Sequence, residues 1–310
     1  MTHHLVADLG GTNIRLALAT DAGLVPGSAR RYVIADFASL EDACRTYLKD
    51  AGHTAKVGKA CLAVAAPIQD GKVRLTNHHW RFSRRSVCAA IGAARTVFIN
   101  DWEAIGYSAA LLTPADYTNL LDGRPEREGC LVMCGPGTGL GTVIVHPVGG
   151  QPTVIPSEAA HMTFTPRSPH QKLIGEFLKA KFGHVSWERV LSGPGLADAY
   201  QALSGERTSP DDVTRRAQNG EPLALKVVEV FAESLAHYAA NLTLTVLAQG
   251  GVYLGGGVLP HIRPLMNVRA FEQAFTDKGR YAKYLSTIPV RVLTTPEPAL
   301  IGAAGYLRRM

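Results

Sequence analysis

The sequence predicts an α/β chain built as two lobes, and three observations carry that prediction. Residues 59–67 (KACLAVAAP) and 96–99 (TVFI) are apolar almost without interruption. A strand apolar at nearly every position needs cover on both faces, so it belongs inside a sheet flanked by helices. A pattern of apolar run, glycine turn and apolar run occurs twice, at residues 5–20 (LVADLGGTNIRLALAT) and 129–145 (GCLVMCGPGTGLGTVIV). Such a duplication is the trace of two related lobes facing a shared cleft. The length, 310 residues, is long for one compact core and comfortable for two.

In chain order, the first hairpin places Asp8 ahead of the turn Gly10-Gly11-Thr12-Asn13. Gly10 and Gly11 can take φ > 0 and let backbone N–H groups point into one concavity, with Thr12 and Asn13 on its rim. Such a concavity suits a phosphate. A carboxylate beside phosphate oxygens needs a cation between them, so Asp8 implies Mg2+, held directly or through water. An ordinary hairpin with a solvated Asp8 is the bland alternative. Residues 40–51 read as an amphipathic helix with Leu40, Ala43, Cys44, Tyr47 and Leu48 on one face. Residues 73–80 (VRLTNHHW) read as a short strand and polar loop, and 87–92 as a short helix. The strand at 96–99 ends in Asn100-Asp101, with a helix expected from about 103 to 112. A polar pair between a strand end and a helix start is where α/β proteins place their chemistry. Pro114 and the polar run to Glu128 read as the boundary between lobes.

The second half opens on the mid-chain turn, with Gly137, Thr138 and Gly139 at its centre. Two glycine turns can grip different phosphates of one nucleotide. The loop at 156–162 (PSEAAHM) offers Glu158 and His161. Residues 173–182 form an amphipathic helix. Residues 187–196 (WERVLSGPGL) carry Glu188 and enter a helix that runs to 203, with the Ser192-Gly193-Pro194-Gly195 segment as a structural bend. Residues 210–218 read as a short helix with Asp211 and Asp212 in its first turn. A long helix spans about 223–247, with Leu223, Val227, Val230, Phe231, Leu235, Tyr238, Leu242 and Val246 on one stripe. The strand at 251–254 is broken by Gly255-Gly256-Gly257, where a flat adenine or ribose can approach the backbone. A strand at 290–293, a turn at 296–298 and a helix at 300–307 close the chain.

Hydrophobic residues make up 46% and charged residues 19%, as in an ordinary globular protein. The net charge of +6 is spread in small groups such as Arg84-Arg85 and Arg215-Arg216. No basic block supports nucleic-acid binding. No uninterrupted apolar stretch is long enough to cross a membrane. Five cysteines without a CxxC pair or a secretory signal point to a reducing cytoplasm. Cys61, Cys130 and Cys134 sit in apolar runs and read as buried small hydrophobes.

The motifs DLGGTN, TNHHW, IND, GPGTGLG, SEAAH, ERVLSGPGL and YLGGGVLP occur in that order. Together they resemble the bacterial glucokinase family, ATP-dependent hexose kinases, over essentially the whole chain. The resemblance implies a two-lobed actin-like ATPase (hexokinase/ribonuclease H-like) fold with a cleft between the lobes. A small α/β domain would take 1–110 plus 297–310, and a larger α+β domain 111–296. It implies glucose and MgATP as substrates and commonly a homodimer. The sugar contacts of the family fall on Asn100, Asp101, Glu158, His161 and Glu188, with Asp101 as the base. Its phosphate contacts fall on Gly10, Gly11, Thr12 and Asn13 and on Gly137, Thr138 and Gly139, and its adenosine contacts on Gly255, Gly256 and Gly257. This chain has Ala159 and Ala160 where members usually carry glycines. Their methyl groups either narrow the sugar pocket or stiffen the loop.

Each site residue also has a plainer role open to it. Asp101 can cap the following helix, and Glu188 can sit in a first helical turn for the macrodipole. In the related ROK kinases a histidine comparable to His161 helps bind zinc beside a cysteine-rich motif, which is absent here. Three functions compete: a hexose kinase for glucose or another hexose, a non-catalytic sugar sensor, and an ATPase that drives assembly or client binding.

Overall fold

The computed structural model describes residues 2–75 and 78–310; Thr76 and Asn77 of the TNHHW motif lie outside the described residues. The chain divides into two compact units, Met1–Thr113 with Thr295–Met310, and Pro114–Thr294.

In the first unit the strand His4–Leu9 pairs antiparallel with Asn13–Thr20 and parallel with Lys59–Val64, which pairs parallel with Arg95–Asn100. The outer edge of Asn13–Thr20 is shared by Gly23–Leu24 and Arg30–Val33. Side chains alternate between the faces of a sheet. Leu5, Ala7 and Leu9 therefore join Ile14, Leu16 and Leu18 in one core, closed by the helix Leu40–Asp50. The opposite face is covered by the helices Asp101–Ser108 and Pro298–Leu307. Full cover on both sides explains the unbroken apolarity of Lys59–Val64, where the last five residues are buried. Ile68–Gln69, Lys72–Arg74 and Arg81–Ser83 form a separate small antiparallel sheet.

The two covering helices touch backbone to backbone. A Cβ placed on Gly302 would overlap the carbonyl oxygen of Ala104. Gly302→Ala must push the closing helix off the Asp101 helix, and overpacking of this kind costs about 1–3 kcal/mol or more. Denaturant unfolding should show a lower midpoint at unchanged slope. An unchanged midpoint would mean that the two helices separate freely.

The second unit repeats the first. Leu131–Pro136 pairs antiparallel with Leu140–Val148 and parallel with Gly251–Leu254, which pairs parallel with Val290–Leu293. Hairpin first, then two parallel strands, is the layout seen in the first unit, so the duplication read from the sequence is structural. Gln151–Pro156 extends one edge and Tyr117–Leu121 the other. The polar run after Pro114, read from the sequence as a boundary, thus contains an edge strand of this sheet. Its charged flanks hid a short five-residue strand. The helix Pro222–Val246 is buried along much of its length and centres the core. Residues 187–203 are not one continuous helix: Trp187–Val190 and Gly193–Ser204 are separate, each with its own serine at the N-cap. Between Gly257 and Ile288 the chain forms the short helices Leu259–Ile262, Val268–Thr276 and Ala282–Leu285. Among the described residues no helix is long and apolar enough to cross a membrane.

Cys61 and Cys134 are buried, whereas Cys130 is half-exposed, with Sγ 3.1 Å from Nδ1 of His146. Cys130 lies just ahead of the strand Leu131–Pro136 rather than within it, so the apolar run overstated its burial.

Candidate active site

The strand Arg95–Asn100 ends where the helix Asp101–Ser108 begins. Asn100 is the N-cap. Its Oδ1 accepts from the N–H groups of Trp102 and Glu103, at 2.9 and 3.2 Å, and Glu103 Oε2 accepts from Asn100 N at 3.2 Å. This reciprocal capping box satisfies orphan donors at the helix start. Asp101 is therefore freed from serving as the cap, although its Oδ1 also accepts from Trp102 N at 2.9 Å.

Burial pushes the Asp101 carboxyl up to about 6, and the charge of Asp8 pushes the same way. A carboxylate with so raised a value is a stronger proton acceptor than a solvated one and is still mostly ionised at neutral pH. If Asp101 takes a proton during turnover, kcat/KM for the acceptor should fall about tenfold per pH unit below about 6. A pH–rate profile at saturating nucleotide checks this. An acid limb near pH 4 would place the base elsewhere.

Asp8 lies directly across the hairpin from Arg15, whose Nη1 donates to Asp8 Oδ2 at 3.0 Å. Burial raises the Asp8 carboxyl, and the Arg15 guanidinium opposes that. Among the described residues no three His, Cys, Asp or Glu side chains are grouped to hold a metal. Asp8 alone fits Mg2+, which often binds through one carboxylate, waters and substrate phosphates. Arg15 holds one of its two oxygens. Arg15 was missed in the sequence, although counting back across the glycine turn pairs it with Asp8.

The turn itself corrects the sequence reading at one point. Neither Gly10 nor Gly11 adopts the left-handed region. The turn is closed by Gly10 N donating to Asn13 O at 3.0 Å and is braced by Ile34 N donating to Thr12 O. Gly11 and Thr12 are exposed, and a Cβ on Gly11 would meet nothing within 4 Å. The turn leaves open backbone without needing positive φ.

In the second unit, Gly137 and Thr138 line a cavity of about 240 Å3 with Gly257. Its lining also includes Pro194, Leu196, Pro210 and Val258, with Asp211, Thr214 and His261 as the polar side chains among them. Apolar walls with few polar groups suit a flat heterocycle. Gly193, read as part of a bend, also lines this cavity, and its N–H donates to Gly137 O at 2.8 Å. Gly255 is buried and packs on Gly135, leaving Gly256 and Gly257 exposed.

Glu188 reaches the same turn. Its Oε2 accepts from Leu140 N at 3.1 Å, and a Cβ on Gly139 would stand 2.5 Å from that oxygen. Glycine at 139 thus lets the carboxylate in. Glu158 precedes and His161 closes the short turn Ala159–His161, with Oε2 and Nε2 3.6 Å apart and both side chains exposed. Ala159 and Ala160 pack on the core, and Ala160 is buried, so their methyl groups stiffen this loop. The phenol of Tyr238 donates to or accepts from Thr142 Oγ1 at 2.6 Å and feels the charges of both Glu158 and Glu188. The two carboxylates therefore share one neighbourhood.

A sequence model of the family described as Glucokinase matches residues 5–310. The glucokinase of Yersinia pestis is 36% identical over 315 residues, covering 99% of this chain and 97% of that protein. The bifunctional protein glk of Burkholderia pseudomallei is 36% identical over 310 residues; they are 98% of this chain but 48% of that protein, so the chain spans about half its length. Among solved structures, the glucokinase of an Antarctic psychrotroph superposes with a TM-score of 0.89 at 32% identity, with 100% of both chains covered. A ROK family glucokinase of Streptomyces griseus, in complex with glucose and AMPPNP, shares the fold at 17% identity and a TM-score of 0.64, covering 99% of each chain.

Proposed function

The chain belongs to the glucokinase family, with its two-lobed actin-like fold, and from that premise we propose that it transfers the γ-phosphoryl group of MgATP to the 6-hydroxyl of glucose. The observation that carries the proposal is the setting of Asp101: first in its helix, capped by its neighbour, half-buried and raised to about 6. Phosphoryl transfer is mostly positioning and charge neutralisation. A primary alcohol is a weak nucleophile while protonated, and Asp101 accepts that proton as attack develops. The amide of Asn100, held by its capping bonds, presents its N–H2 donors to sugar hydroxyls. Glu158, His161 and Glu188 supply the further partners that a polyol needs, because a hydroxyl left unmatched loses its water without replacement.

Gly137, Thr138 and Gly139 offer backbone to the nucleotide's phosphates, with Gly10, Gly11, Thr12 and Asn13 as the second cradle. The cavity bounded by Gly257, Pro194 and Pro210 takes the base, with Gly255 and Gly256 supporting it. Mg2+ would be held by Asp8 and the phosphates, and when bound it neutralises developing charge on the phosphoryl oxygens. Arg15 keeps Asp8 oriented for that purpose. The family's cytoplasmic setting and homodimeric assembly are proposed with the activity.

A coupled assay across glucose, mannose and related aldohexoses, with ATP, ADP and polyphosphate as donors, tests the reading. Glucose with MgATP should give the highest kcat/KM. No turnover with any of these sugars would leave the sugar-sensor reading standing.

A further inference from the structure

We infer that Tyr238, on the long helix Pro222–Val246, is a positioning residue that sets Glu158 and Glu188 for the sugar through its buried hydrogen bond to Thr142. The role rests on the sugar site proposed above. Three segments bring that site its partners in the second unit: the strand Leu140–Val148, the loop at 157–164 and the short helix Trp187–Val190. Tyr238 touches two of them directly. Its hydroxyl shares a hydrogen bond with Thr142 Oγ1 at 2.6 Å, and its ring lies 5.5 Å from that of Trp187, tilted by 46°. That strand and that helix are joined in turn, since Glu188 Oε2 accepts from Leu140 N at 3.1 Å. The loop is tied to both. Ser157 N donates to Thr142 O at 3.3 Å, and Trp187 N donates to Met162 O at 3.0 Å. Glu158 thus follows a residue pinned to Thr142, and Glu188 follows a residue packed on Tyr238.

Tyr238 and Thr142 are only 1% and 2% exposed, so the hydroxyl pair acts through its neighbours rather than on a ligand. Burial foremost raises the Tyr238 phenol, and the charges of Glu158 and Glu188 push the same way. A phenylalanine would fill the same space against Trp187. What the tyrosine adds is direction. Apolar contact carries no preferred orientation, whereas a hydrogen bond fixes both distance and angle. The bond therefore locks the long helix to the strand at one position, and the loop and the short helix are hung from that strand. Groups that pair several hydroxyls at once must be held to within about 0.5 Å, and the residues behind them do the holding.

Tyr238→Phe keeps the ring and removes the bond, but it leaves Thr142 Oγ1 buried without its partner and so also lowers stability. Tyr238→Phe/Thr142→Val removes both hydroxyls at nearly unchanged shape, which recovers stability without restoring the bond. The test compares the intact protein with both variants by steady-state kinetics and by unfolding midpoint. KM for glucose should rise at least fivefold in both variants, with KM for ATP changed less than twofold, although their midpoints differ. A glucose KM that recovers together with the midpoint in the double variant shows a merely structural bond and overturns the positioning role. A glucose KM at the wild-type value in both variants, or an equal rise in both KM values, overturns it as well; each of these results leaves the sugar site standing. Absence of glucose turnover in the unaltered protein removes the sugar site itself and the role of Tyr238 with it.

Discussion

Asp101→Asn is expected to keep the fold and sugar binding while kcat falls by about 10²–10⁴-fold. The capping bonds that start the helix belong to Asn100 and Glu103, so they survive the change. The amide retains an Oδ1 acceptor for Trp102 N, the bond that Asp101 makes now. What is lost is the proton acceptor. Stability should move the other way. The carboxyl binds its proton more tightly in the folded chain, at about 6 against an ordinary 3.8. Between those values the native state holds more protons than the unfolded one, so wild-type stability falls as pH rises through that window. Asn carries no such penalty. The variant should be the more stable at neutral pH, on the order of 1 kcal/mol, with the advantage gone below about pH 4. Calorimetry at pH 4 and pH 7.5 beside steady-state kinetics checks both halves. Near-normal kcat would remove Asp101 from the chemistry.

Gly135→Ala should be the most damaging methyl addition in the second unit. The new Cβ would overlap the carbonyl oxygen of Gly255. The two segments are also laced together, with Gly255 N donating to Cys134 O at 2.9 Å and Val258 N to Pro136 O at 3.1 Å. Gly256 completes the close approach with φ +91°, a conformation open to glycine and strained for other residues. Separating the segments costs about 1–3 kcal/mol or more. It also spreads Gly137 and Thr138 from Gly257 across the cavity they line. The expected result is a lower unfolding midpoint and a KM for ATP raised at least tenfold, with the KM for glucose less affected. Wild-type values for both would mean that the contact does not shape the nucleotide cavity.

Much of the fold was legible because its signals are local. The run 96–99 announces a buried strand, and a buried strand that ends in Asn-Asp fixes where Asp101 must stand. The two glycine hairpins announce their own repetition, and the long helix carries its apolar stripe in plain sequence. What stayed hidden depends on partners far apart in the chain. The cavity gathers its walls around Pro194, Pro210, Val258 and His261, from segments no local pattern connects. Which residue caps the Asp101 helix turned on a one-residue shift that composition does not resolve, since Asn and Asp cap about equally well. The strand Tyr117–Leu121 was masked by its polar surroundings, and Cys130 by its apolar ones. Gly10 and Gly11 show a further limit: glycine marks a turn, but it does not say whether the turn uses positive φ or simply open backbone.

Counting ADP released against hexose phosphate formed is the most direct test of direct transfer from MgATP to an alcohol at Asp101. One ADP per hexose 6-phosphate, with almost none released in the absence of sugar and the sugar-dependent part lost in Asp101→Asn, is the predicted result. Steady ADP release that ignores glucose would contradict it and would mark the protein as an ATPase that spends its nucleotide on something other than sugar.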